Sequence, residues 1–255
     1  MMNKRGDWMR RETRKRVILL AAAALLMGFL FAAASVYSQA SAATAKRYAA
    51  EPGIAGIDVL IDPGHGGIDG GTSYGDLLEK DINLAVSLKL YEHLQKKGIR
   101  AALTRSADYA LSDDNRWLST KSRHRRDLAQ RKLAIDEIKP KLAVSIHANW
   151  AKDSKERGPS ALYQASVPES KKAAELLVSS LNRLYGTRGA AIKGKTYFIL
   201  KRTASPTVIV EIGFISNYAD RSMMTSSEGQ NQIAAALAAA IEQYLKSYES
   251  SAIPQ

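Results

Sequence analysis

The stretch Ile57-Asp-Val-Leu-Ile-Asp-Pro-Gly-His-Gly-Gly67 passes from a short apolar run into a glycine-rich turn that carries one histidine. Residues 57–61 read as a buried strand, and Asp62-Pro63-Gly64 ends it. A helix is expected next over 80–97, where Ile82, Val86, Leu90 and Leu94 recur every four residues and Gly98 stops the pattern. This strand–turn–helix opening sets the reading of everything downstream.

Further strands are expected over 99–104, 142–146, around Leu162, over 197–200 and over 207–212. Helices are expected over 123–138, 169–185 and 228–248. Strands that alternate with helices imply βαβ units, hence an α/β domain whose mostly parallel sheet is covered on both faces. Residues 57–248 form this one domain and 249–255 a tail.

Upstream, residues 1–16 carry Lys4, Arg5, Arg10, Arg11, Arg14, Lys15 and Arg16 against only Asp7 and Glu12. Residues 17–37, VILLAAAALLMGFLFAAASVY, are apolar and uncharged. As a helix this run would rise roughly 30 Å, enough to cross the hydrocarbon core of a bilayer. Basic, apolar and then small residues is the order of an export signal, either cleaved or kept as a membrane anchor. Residues 38–56, rich in Ala, Ser and Gly, read as a linker. The domain is therefore expected outside the cytoplasm.

Composition narrows the function classes. The 255 residues are 45% hydrophobic and 24% charged, which excludes a disordered or fibrous chain. No cysteine is present, so disulfides, thiolate metal sites and a cysteine nucleophile are excluded. The net charge of +12 suits an anionic polymer or membrane surface. The densest basic cluster, Lys121, Arg123, Arg125, Arg126, Arg131 and Lys132, lacks interleaved aromatics, so no nucleic-acid partner is expected. It reads as a solvated face with a substrate role as the alternative.

The chemistry is expected where polar residues interrupt or end the apolar strands. His65 follows the first strand, His147 lies in Val144-Ser-Ile-His-Ala-Asn149, and Glu211 follows Val208-Ile-Val210. Loops at the carboxyl ends of parallel strands line the ligand crevice, so these three converge in space. A carboxylate inside an apolar strand is costly unless it is paired, metal-bound or near solvent. Two histidines and a carboxylate make a catalytic zinc site. Asp69, Asp76, Glu79 and Asp81 all compete for the third ligand. Glu79 is favoured because it opens the helix, leaving Glu211 as general base. His93 and His124 have no partner pattern and read as surface residues.

The segments Ile61-Asp-Pro-Gly-His-Gly-Gly67, Leu78-Glu-Lys80, Ser145-Ile-His-Ala-Asn149 and Val210-Glu-Ile-Gly-Phe-Ile-Ser-Asn217, in this order, resemble the zinc-dependent N-acetylmuramoyl-L-alanine amidases of the amidase-3 family. The resemblance spans residues 57–246. It implies a single three-layer α/β/α domain with a six-stranded, mostly parallel sheet. It also implies one zinc per chain on His65, Glu79 and His147, with Glu211 as the catalytic glutamate. The implied reaction is hydrolysis of the amide between N-acetylmuramic acid and L-alanine of peptidoglycan.

Within that family the chain is most similar to the germination-specific branch, which acts on spore cortex to prepare muramic δ-lactam. The single N-terminal apolar segment, the lack of wall-binding repeats and the basic stretch 115–131 carry that likeness. The short span between His147 and Glu211 lacks the regulatory helix of some relatives, which implies control by timing, location or a partner protein. The rival readings are a vegetative wall amidase, a zinc exopeptidase and a non-catalytic peptidoglycan-binding module.

Overall fold

The computed structural model describes residues 56–195 and 197–252. The expected basic segment 1–16, the apolar signal or anchor 17–37, nearly all of the 38–56 linker and the last residues of the tail lie outside the described residues. Among the described residues, no helix is long and apolar enough to cross a membrane.

In chain order the elements are β1 (Val59–Pro63), β2 (Ser73–Tyr74), β3 (Leu77–Leu78), α1 (Glu79–Lys96), β4 (Ala101–Leu103), α2 (Arg123–Ile138), β5 (Leu142–Asn149), β6 (Ser160–Tyr163), α3 (Pro168–Tyr185), β7 (Ala191–Lys193), α4 (Ile199–Arg202), β8 (Thr207–Phe214), α5 (Tyr218–Thr225) and α6 (Ser227–Ala252). A six-stranded sheet runs in the order β4-β1-β5-β8-β6-β7, with β2 and β3 as a separate antiparallel pair. β4, β1, β5 and β8 are mutually parallel, and β6 pairs antiparallel with β8 and parallel with β7. The α/β architecture with a mostly parallel sheet of six strands is as expected.

One expectation fails. Residues 197–200 do not form a strand: Ile199–Arg202 is a short helical turn, and the edge strand beside β6 is Ala191–Lys193. The apolar tetrapeptide Tyr197-Phe-Ile-Leu200 has no period that separates a buried strand from a buried helical turn, and here tertiary packing decides. α6 also continues past the expected end at 248.

Strand parity explains the layering, because successive side chains point to opposite faces. Val59 and Ile61 of β1, Leu142, Val144 and Ile146 of β5, and Val208, Val210 and Ile212 of β8 pack into the larger core. That core includes Ile82, Val86, Leu90 and Leu94 of α1, Leu177 and Leu181 of α3, and Leu237, Ile241 and Tyr244 of α6. Each fully buried aliphatic side chain there contributes about 1.5–3 kcal/mol.

The opposite face is thinner: Leu60, Ala143 and Ile209 pack with Ile135 of α2 and with Ile199 and Leu200 of α4. By the same parity, Asp62, Ser145, His147 and Glu211 point to this thinner face, beyond the reach of its small core. Of the polar residues, Asp62 and Ser145 are buried and His147 and Glu211 are half-buried toward the carboxyl end of the sheet.

Candidate metal centre

His65 stands just past the end of β1, at φ 61°, in the left-handed region that a non-glycine residue holds only when its surroundings impose it. The turn is closed on both sides. Gly64 N–H donates to the Ile146 carbonyl (2.9 Å), and Gly66 and Asp69 exchange backbone hydrogen bonds of 2.9 and 3.1 Å. Glycine is required at 64, because a Cβ there would lie 2.3 Å from Cε1 of His147.

Glu79 is the first residue of α1, where a negative charge is favoured by the helix dipole. Its side chain is only 6% exposed. Oε2 lies 3.2 Å from His65 Nε2 and accepts from Thr72 N–H (2.9 Å). Oε1 lies 2.9 Å from His147 Nδ1 and accepts from Asn83 Nδ2 and Ala148 N–H, both at 3.2 Å. Gly71, at φ 70°, makes room: a Cβ there would lie 2.5 Å from Glu79 Oε2.

His147 is the sixth of the eight residues of β5, near its carboxyl end, and pairs in register with Glu211 of β8. The rings of His65 and His147 meet edge-on, with centroids 5.0 Å apart. His65, Glu79 and His147 therefore each offer a ligand atom, and these atoms all lie within 4.8 Å of one another. Three donors about 2.1 Å from one zinc ion at tetrahedral angles would be roughly 3.4 Å apart, so the set fits a single ion. Two nitrogens and a carboxylate oxygen match the donor chemistry of a catalytic zinc site.

Of the four acidic candidates that follow His65, Glu79 is the one brought between both histidines. Asp69 sits behind the first ring, its Oδ2 3.0 Å from His65 Nδ1. Asp76 and Asp81 do not join the cluster.

The protonation states reflect these contacts. Burial opposes charge on Glu79, but its bonds to His147 and His65 hold its carboxyl well below the usual range. Burial alone would lower His65, yet Glu79 and then Asp69 raise it from 6.5 to about 9. Glu211 is pushed up, first by burial and also by the charge of Glu79. Its Oε2 is buried and has no hydrogen-bond partner among the described residues.

These groups line a cavity of about 700 Å³ that also takes in Asp62, Arg125, Trp150, Tyr197 and Phe198. His124, exposed as expected of a surface residue, also borders this cavity. Burial and the charge of Glu211 raise the Tyr197 hydroxyl, placing that phenol in the field of the unpartnered carboxylate.

The basic cluster divides. Arg131, expected on a solvated face, is buried with 4% of its side chain exposed. It pairs with Asp62 (2.5 Å) and Asp127 (2.6 Å) and donates to the carbonyls of Pro63 (2.9 Å) and His65 (2.8 Å). The spacing of Asp127 and Arg131, one helical turn apart, is the only trace of this in the sequence. Arg105, buried beside these groups, carries no such trace, and Asn83, also buried, shows only its one-turn spacing from Glu79.

A family model described as N-acetylmuramoyl-L-alanine amidase matches residues 59–243. The chain is 31% identical over 195 residues to the germination-specific N-acetylmuramoyl-L-alanine amidase of Bacillus subtilis, an alignment covering 75% of this chain and 81% of that protein. Among solved structures it resembles the CwlD amidase from Clostridioides difficile in complex with the GerS lipoprotein, with a TM-score of 0.68 and 31% identity over 75% of this chain and 100% of that one. It also resembles the catalytic domain of CwlV, an N-acetylmuramoyl-L-alanine amidase from Bacillus (Paenibacillus) polymyxa var. colistinus, with a TM-score of 0.63 and 28% identity over 75% and 99% of the two chains. With the match running from the first strand of the sheet into its last helix, the chain belongs to the N-acetylmuramoyl-L-alanine amidase family and has that family's enzyme activity.

Proposed function

We propose that this enzyme is a zinc amidase that hydrolyses the bond between the lactyl group of N-acetylmuramic acid and L-alanine in spore-cortex peptidoglycan, with one zinc per chain held by His65, Glu79 and His147. The observation that carries this reading is the convergence of those three donors in one cavity with the unpartnered Glu211 Oε2. Zinc, when bound there, supplies a Lewis acid for the amide carbonyl and lowers the pKa of a coordinated water to about 7.

The chain's own groups account for the proton traffic. Glu211 works as its carboxylate, and it takes a proton from the attacking water at Oε2. The water oxygen bonds to the carbonyl carbon, and Glu211 returns the proton to the amide nitrogen as the carbon–nitrogen bond breaks. The products are the free lactyl carboxylic acid and the free amine of L-alanine. A general base of this kind contributes about 10²–10⁴-fold. The raised affinity of Glu211 for a proton suits the return step as well as the abstraction.

The cortex assignment is supported by the likeness to the germination-specific amidase of Bacillus subtilis. Export through residues 17–37, with the domain 57–248 on the wall side of the membrane, accords with a peptidoglycan substrate. The complex of the CwlD amidase with the GerS lipoprotein is the precedent for a protein partner that controls this chain.

Mass spectrometry of products from purified cortex and from vegetative wall, each with and without a chelator, tests the whole reading. Free L-alanine amino termini and intact muramic acid from cortex, abolished by chelation, are the expected result. Preferential release from vegetative wall would replace the cortex role with that of an autolysin. Cleavage of a bare tetrapeptide would replace the amidase substrate with an exopeptidase one.

A further inference from the structure

We infer that Arg105, together with Asn83, sets the geometry of the metal centre by locking the loop that carries His65 to the helix that carries Glu79. Arg105 lies just beyond β4 and is 1% exposed. Its guanidinium donates to four backbone carbonyls: Nε to Pro63 (3.0 Å), Nη1 to Ala107 (3.1 Å), and Nη2 to Gly64 (3.0 Å) and Lys80 (2.9 Å). Among the described residues it forms no ion pair with a carboxylate.

The identity of these acceptors is the point. Pro63 and Gly64 immediately precede His65, and Lys80 immediately follows Glu79. One planar, rigid fork thus joins the backbones on which two of the three donors stand. Asn83, fully buried one turn along α1, makes the second tie: its Nδ2 donates to the Gly64 carbonyl (3.3 Å) and to Glu79 Oε1 (3.2 Å). Both residues therefore donate to the Gly64 carbonyl, Arg105 from beyond β4 and Asn83 from α1.

Burying a guanidinium without a directly bonded carboxylate is costly: burial and the charge of Arg131 lower the proton affinity of Arg105, and the charges of Asp62, Asp108 and Asp127 offset this only in part. A fold that only needed its carbonyls satisfied could use neutral donors or water. A fixed fork does something those cannot, since it holds several acceptors at set angles at once. His65 needs such restraint, because its left-handed backbone would relax if the carbonyls before it were free. The close approach is built in at Gly66, where a Cβ would lie 3.0 Å from Arg105 Nε. Arg105 acts through His65 and Glu79 and is a positioning residue.

This inference rests on the metal reading above, and the test separates the two. Arg105→Lys, made in the full chain, keeps the charge and loses the fork. Its zinc dissociation constant is measured by competition with a chromophoric chelator, at a temperature where circular dichroism shows the metal-free variant folded. The expected result is binding weakened 10–100-fold, the range seen when groups that orient metal ligands are removed. A folded variant that binds zinc as tightly as the unsubstituted enzyme overturns the inference and leaves the metal reading standing. Asn83→Ala removes only the second tie and decides the matter if Arg105→Lys does not fold: several-fold weaker zinc supports the inference and unchanged affinity overturns it. An unsubstituted enzyme that binds no zinc overturns both.

Discussion

His147 and Glu211 are register partners on the adjacent parallel strands β5 and β8, and both point to the thinly covered face of the sheet. The pairing puts a histidine that touches Glu79 beside a carboxylate whose buried Oε2 has no hydrogen-bond partner among the described residues. On the proposed function, one strand would supply a metal ligand and its neighbour the general base. Replacing Glu211 by Gln keeps the shape and removes the base, so turnover of muramoyl-peptide should fall about 10²–10⁴-fold while zinc content is unchanged. Single-turnover assays with parallel metal analysis check both halves of that statement.

Gly71 tests how tightly the ligands are cradled. An alanine there must adopt φ 70° and place its Cβ 2.5 Å from Glu79 Oε2 and 2.7 Å from His65 Cδ2. The backbone term alone costs about 1–2 kcal/mol. Gly71→Ala should therefore lower the melting temperature of the metal-free enzyme and weaken zinc binding further. Calorimetry with and without zinc would show the gap between the two forms shrinking.

The Asp62–Arg131 pair supports the same loop from below. Asp62 also accepts from Thr104 Oγ1 (2.6 Å) and Ser145 Oγ (2.7 Å), and despite burial its carboxyl is held below the usual range by Arg131 and these hydroxyls. Arg131→Met would leave Asp62 and Asp127 buried without their cation. A loss of about 3–5 kcal/mol in urea unfolding is expected. A loss below 1 kcal/mol would show that water reaches the pair.

His65 gives the metal-free enzyme a pH signature. Its pKa is raised from 6.5 to about 9 on folding, against burial, by Glu79 and Asp69. The protonated ring contributes stability that is fully present below pH 6.5 and lost as the pH rises through about 9. Zinc requires the neutral ring, so its own stabilisation grows over that interval. The melting temperature of the chelated enzyme should fall from pH 6.5 to 9, and the increment from added zinc should widen.

The sequence made the sheet and most of the centre legible for one reason: polar residues at strand ends of a parallel sheet have few other places to go. His65, His147 and Glu211 announce themselves in this way, as does the periodic face of α1. Glu79 is less legible, since Asp69, Asp76 and Asp81 share its neighbourhood and only the helix start favours it. The sequence does not tell the place of Tyr197 and Phe198, because four apolar residues carry no usable period. Arg105 is silent because its partners are backbone carbonyls, which no side-chain pattern records, whereas Asn83 leaves only its one-turn spacing from Glu79. Arg131 reads as one more surface cation because its partner Asp62 is far away in sequence and only folding brings the two together.

The central claim is that His65, Glu79 and His147 hold one zinc ion and Glu211 works beside it. Metal analysis of dialysed protein, run on the unsubstituted chain, His147→Ala and Glu211→Gln together with muramoyl-peptide turnover, tests this most directly. One zinc per chain in the unsubstituted and Glu211→Gln proteins, none in His147→Ala, and turnover in the unsubstituted protein alone is the predicted outcome. Full zinc in His147→Ala, or undiminished turnover in Glu211→Gln, would contradict it.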